Sequence, residues 1–127
     1  MQEILEQLVG IEKKCAEAFN QKNLPEILNF FDEDISGFSS TEHDRFRGKE
    51  ELQKTFEYYL TEADSVTYEI LDPQVSHYDD TAILSFYWRV TLRSGSRRIE
   101  IPGRGTHVFQ LKNNQWKIIH EHFSRAH

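Results

Sequence analysis

Apolar residues at Ile4, Leu5, Leu8, Ile11, Cys15, Ala18 and Phe19 recur every three or four positions, which predicts an amphipathic helix from about Gln2 to Asn20. Asn23 followed by Pro25 and Glu26 has the form of a capping box. Leu24, Ile27, Leu28 and Phe31 then continue as a short second helix. Asp32-Glu33-Asp34 closes it and leads into a short apolar piece, Ile35 to Phe38. Paired carboxylates can do acid–base work when one is desolvated, but three in a row at such a junction are read as solvated. The polar loop from Ser39 to Arg47 carries His43, read as exposed, and could rim a pocket. A third helix starts near Gly48, with Leu52, Phe56, Tyr59 and Leu60 as its buried stripe.

From Ser65 the period changes to two. Val66, Tyr68 and Ile70 alternate with Thr67 and Glu69, Pro73 breaks the run, and Val75 to Tyr78 resumes it before a turn at Asp79-Asp80. Ala82 to Leu92 forms a long strand with two unlike faces. Ala82, Leu84, Phe86, Trp88, Val90 and Leu92 make a wholly apolar face, expected to pack against protein. Ile83, Ser85, Tyr87, Arg89 and Thr91 make a mixed face, expected to line something wetter. A turn at Ser94-Gly95 leads to Arg98–Ile101, and Pro102-Gly103 is expected to interrupt that strand as a bulge or bend. The last stretch, Gly103 to Ser124, reads as a hairpin about Asn113-Asn114. Segregated helices followed by meandering strands indicate an α+β fold, a curved antiparallel sheet wrapped around N-terminal helices. One domain over residues 1–127 accommodates all of it.

Composition narrows the partners. At 38% hydrophobic and 13% aromatic, the chain is too apolar to be disordered. With 21 acidic and 15 basic side chains, the formal charge is −6, which argues against a nucleic-acid partner. The one basic cluster, Arg93, Arg97 and Arg98, sits around a turn and is read as solvated. No apolar run reaches the roughly 20 residues of a spanning helix, so no membrane partner is expected. The acidic N-terminus lacks the form of a signal peptide. Cys15 is the only cysteine, so no intrachain disulfide can form, and a cytoplasmic location is expected. No electropositive neighbour to activate its thiol is evident.

GRGTHVF, a short polar turn and WKIIHEHFS together resemble the closing hairpin of the SnoaL-like group in the nuclear transport factor 2-like superfamily. STEHDRFRGKEEL resembles that group's loop into the third helix, and the order of elements matches along essentially the whole chain. The resemblance implies a cone-shaped, cystatin-like α+β barrel with a pocket between sheet and helices, usually in a homodimer. Members include ketosteroid isomerases, dehydratases, polyketide cyclases, binding proteins and the association domain of calcium/calmodulin-dependent kinase II, so function has to be argued from the site. The hairpin is most similar to that association domain, whose pocket arginines would fall at Arg89, His107 and Phe123. Only Arg89 is an arginine here, which implies a ligand that is less anionic or held by fewer charges. The strand-borne acid pair of a ketosteroid isomerase has no evident counterpart.

Two closures of the hairpin are possible. A two-residue turn pairs Lys112 with Gln115 and puts His107, His120 and His122 on one face, as a metal site would need. A three-residue turn with a bulge pairs Leu111 with Gln115 and sets His107 opposite Ile119. Local patterning favours the first. The resemblance favours the second, as does the lack of a glycine for two consecutive positive φ angles. We take the second. The ligand pocket is then Tyr87, Arg89, His107, Phe109, Ile119, Glu121 and Phe123, with His107 and Arg89 as the catalytic candidates. In that reading Arg89 fixes an anionic group or pairs with Glu121. The alternative is a buried ion pair with a hydrogen-bonded histidine that does no chemistry. Phe86, Trp88, Arg104, Val108, Trp116, Ile118, His120 and His122 form the expected dimer interface. His120 and His122 lack a third ligand, so neither a metal nor another cofactor is expected.

The function expected from all this is small-molecule binding by a homodimer. Proton transfer (isomerisation, dehydration or cyclisation) on a small organic substrate is the enzymatic alternative. A pure association module is the third.

Overall fold

The buried stripe of the first helix, α1 (Gln2–Asn20), is Ile4, Leu8, Cys15, Ala18 and Phe19, in agreement with its spacing. The computed structural model describes residues 2–126. Asn23 caps α2 (Leu24–Leu28), its side-chain oxygen accepting from the Glu26 N–H at 3.3 Å. The first strand, β1, runs Phe31–Phe38, so Phe31 opens a strand rather than ending the helix. Phe31 and Ile35 face the core, and the three acids between them lie at the surface, where Asp32 pairs with Lys112 and Glu33 with Lys49. A two-residue β2 (Phe46–Arg47) leads into α3 (Gly48–Glu62), and His43 in the preceding loop is exposed.

The long strands are β3 (Ser65–Tyr78), β4 (Thr81–Ser94), β5 (Arg97–Lys112) and β6 (Gln115–Arg125). They form one unclosed, curved six-stranded sheet in the order β2-β1-β6-β5-β4-β3. All neighbours are antiparallel except β1 and β6, which run parallel. Helix α1 packs on β3 and α3 on β1, so the helices cover one face of the sheet and leave the other outside. No helix among the described residues is long and apolar enough to cross a membrane.

Pro73 produces the expected irregularity: β3 shifts register between Leu71 and Gln74, with Asp72 at φ 51°. Pro102-Gly103 does not. β5 stays in register with β4 throughout, because Pro102 lies just beyond the last β6 pair, Gly103 with Arg125. Gly103 meets a different demand. A Cβ there would come within 2.1 Å of the Trp88 ring, which lies across the bare backbone.

Two expectations about faces are corrected. The apolar face of β4 is the inner one, so Phe86 and Trp88 are buried under the helices together with Ile118 of β6, and none of the three is available to an outer interface. Trp116 also packs against the core. The mixed face points outward: Tyr87 is 54% exposed, and Arg89 pairs with Glu69 on β3 rather than with Glu121. The reason is burial. A sheet covered on one side by helices gives them its fully apolar face and leaves its guanidinium in water.

The hairpin corrects the closure we took: Leu111 pairs with Trp116, not with Gln115. Asn113 and Asn114 take φ 51° and 63°, making the two-residue turn that pairs Lys112 with Gln115. Asparagine tolerates the left-handed region well enough to replace the missing glycine. A bulge at Ile119, between the Phe109–Ile118 and Val108–His120 pairs, then moves the register by one. His107 therefore stands opposite Glu121, not Ile119 or His120.

Candidate functional site

That pairing sets two ionisable side chains side by side on the inner face, and α1 brings a third. Glu12 follows Leu8 by four residues and precedes Cys15 by three, so the helix turns it onto its buried stripe and down onto the sheet. His107 Nδ1 lies 2.5 Å from Glu12 Oε2, and Nε2 lies 2.7 Å from Glu121 Oε1. All three residues are buried, with Glu12 at 0% exposure. The edges or faces of Phe31, Phe86, Phe109 and Phe123 surround the imidazole at ring-centre separations of 5.2–6.0 Å.

Both ring nitrogens face a carboxylate, so the ring is held as the imidazolium, donating at each end. Burial pulls the His107 pKa down, but the adjacent Glu12 and Glu121 carboxylates outweigh it and carry the value up to about 10. Cys15 stands one turn along α1 from Glu12. Burial, and then the negative charges of Glu12 and Glu121, push its thiol well above the usual range, so it stays protonated and is no nucleophile.

A cavity of about 50 Å³ opens beside this chain of residues. His107 and Glu121 form its polar end, while Cys15, Phe19, Phe31, Phe56, Tyr68, Trp88, Val90 and Phe123 supply apolar wall. It extends to the half-buried Ser39 and Ser40 just after β1, the loop read as a possible rim. Ser40 Oγ is 2.9 Å from the Tyr59 hydroxyl, which ties that loop to α3.

Of the residues expected to line a pocket, the fold brings together His107, Phe109, Glu121 and Phe123. It places Tyr87 and Arg89 on the opposite face and Ile119 in the bulge. His120 and His122 point outward, with Arg104 and Val108 on that same face. The Ser36 hydroxyl lies 3.3 Å from His120 Nδ1, and burial and the neighbouring His122 lower the pKa of that ring.

Glu12 was not among the sequence candidates. Its signal was present: a carboxylate in the middle of an apolar helix stripe, a position charged residues rarely occupy without a partner. Gly37 also belongs to the site. A Cβ at Gly37 would come within 1.9 Å of the Glu121 carbonyl oxygen, so β1 can lie beside β6 only without a side chain there. Gly37→Ala is expected to cost about 1–3 kcal/mol in urea unfolding by displacing the Glu121 backbone. A cost near zero would show that the two strands separate easily.

The fold and this hairpin sequence can now be set against known proteins. A model of the SnoaL-like domain matches residues 11–127. The chain belongs to the SnoaL-like domain family. No curated protein matches it. Among solved structures, a nuclear transport factor 2-like superfamily protein from Salmonella enterica superposes with TM-score 0.85 at 16% identity, covering 99% of this chain and 93% of that one. The association domain of C. elegans calcium/calmodulin-dependent kinase II gives 0.81 at 16% identity, covering 97% and 96%. A nuclear transport factor 2-like protein of unknown function from Pseudomonas putida gives 0.84 at 20% identity, covering 98% and 87%. At these identities the likeness is one of fold. Of positions 89, 107 and 123 in the SnoaL-like chain, only 89 is an arginine, and it faces out to Glu69.

Proposed function

We propose that this SnoaL-like chain is a single-domain small-molecule-binding protein that works as a homodimer and holds its ligand between sheet and helices. The observation that carries this reading is the pairing of a buried His107 and Glu121 at the polar end of an otherwise apolar cavity. A few convergent polar groups in an apolar concavity are the usual make-up of a ligand site. Proton transfer is the second reading, favoured by an imidazole bonded at both nitrogens to carboxylates. Glu121 would exchange the proton with the ligand, and His107 would position it and relay charge to Glu12. Arg89 has no part in this reading, because it is on the other face. The lone, buried Cys15 supports a cytoplasmic location.

Self-association is supported by the outer face. Leu71, Ile83 and Tyr87 are exposed there beside His120, His122, Arg104 and Val108. Ile83→Asp is expected to reduce the mass seen by light scattering from a dimer to a monomer. An unchanged dimer would place the interface elsewhere. Cys15→Phe, which fills the cavity, tests the binding reading: every ligand found by thermal-shift screening should lose its effect. A ligand that still stabilises the filled variant binds somewhere else.

A further inference from the structure

Besides its outermost strands, the sheet has a free edge in its interior. β5 pairs with β4 from Arg97 onward, but β6 joins it only at Gly103, opposite Arg125. The Ala126 N–H extends that pairing by one bond, to the Pro102 carbonyl at 3.0 Å. Among the described residues, Arg97 to Ile101 therefore have no strand beside them on the β6 side. The Pro102 carbonyl points to that side, which fixes the groups left unpaired there. In an antiparallel strand the N–H and C=O of one residue point the same way, and successive residues alternate. Arg98 and Glu100 thus present theirs to the open edge. Their side chains lie on the outer face, paired to each other at 2.7 Å. Ile99 lies on the inner face and is 46% exposed, beside a cleft that Leu92, Ile101, Tyr58 and Arg125 help to line.

An unpaired edge is a template for a further strand. We propose that this one pairs with the same edge of a second copy of the chain, antiparallel and centred on Ile99. Charge selects the register. With Ile99 facing its counterpart, Arg98 of each copy stands opposite the partner's Glu100, and each such pair exchanges both backbone hydrogen bonds. The adjacent two-fold registers that make these bonds centre on Arg98 or on Glu100, and set like charges opposite each other. The Ile99 pair is of the non-hydrogen-bonded kind, in which side chains approach most closely, so both exposed isoleucines are covered. The free stretch is short, so the contact is weak and forms as concentration rises. It is separate from the outer face and would link dimers formed there.

The test follows the mass of the full chain by light scattering between about 10 μM and about 1 mM. It is made in the Ile83→Asp background, which removes the outer face, and is read relative to the mass at the lowest concentration. That mass is expected to double. Glu100→Pro removes an N–H from the open edge and none from the β4 ladder, so it should abolish the doubling. Arg98→Glu alone and Glu100→Arg alone put like charges opposite each other and should abolish it as well. An equimolar mixture of those two variants restores opposite charges at both pairs and should recover it. A constant mass across the range in the Ile83→Asp chain overturns the proposal. Doubling that persists in Glu100→Pro, or a mixture that associates no better than its components, does so too. An Ile83→Asp chain that is still a dimer at the lowest concentration counts only against the outer face.

Discussion

The protein is expected to lose stability as pH rises above 6.5, at about 1.4 kcal/mol per pH unit, reaching a loss of up to about 5 kcal/mol near pH 10. The cause is His107, whose pKa rises from 6.5 in the unfolded chain to about 10 in the folded one. Between those values the folded state keeps a proton that the unfolded state has released. The stabilisation is therefore complete below 6.5 and is lost on the way up to 10. Other groups face this ring. Glu12 and Glu121 bond it, and Cys15 and Tyr68 lie close to the two carboxylates. Burial raises both the Cys15 thiol and the Tyr68 hydroxyl above their ordinary 9.0 and 10.0, so their effect has the same sign but begins only near pH 9. Urea unfolding between pH 6.5 and 8.5 thus isolates His107. A flat profile there, or an equal slope in His107→Gln, would sink the assignment.

His107→Leu is expected to destabilise the fold by about 3–5 kcal/mol, because it leaves Glu12 and Glu121 buried without the cation between them. Glu12→Gln should cost less than half of that, since the His107–Glu121 pair at 2.7 Å survives. The most informative variant replaces all three residues by leucine. A buried ion cluster exchanged for apolar side chains of similar volume is often neutral or stabilising. The triple variant is therefore expected to unfold at a urea concentration no lower than the natural chain, and to bind no ligand in the cavity. If it is as unstable as His107→Leu alone, the cluster is a requirement of folding, and the case for a ligand site weakens accordingly.

Much of the architecture was legible because periodicity reports burial directly. The stripe from Ile4 to Phe19, the capping box at Asn23 and the alternation along β4 each correspond to the element observed. The hairpin was legible as a hairpin, but its register was not. Asn113-Asn114 fits two turn geometries, and the bulge at Ile119 leaves no mark in the residue pattern. The two faces of β4 were separated correctly, yet which was inside depended on where the helices lie.

The sequence by itself determined the element types, their order, and the presence of one wholly apolar and one mixed face on the longest strand. Parity along each strand paired His107 with Phe109 and Glu121 with Phe123, but the bulge at Ile119 is what brings the two pairs onto one face. Tertiary structure decided the rest. It turned Arg89 outward to Glu69 and carried Glu12 across 95 residues of sequence to His107. Contacts of that length depend on how α1 lies against the sheet, which total apolar burial decides and no local pattern encodes.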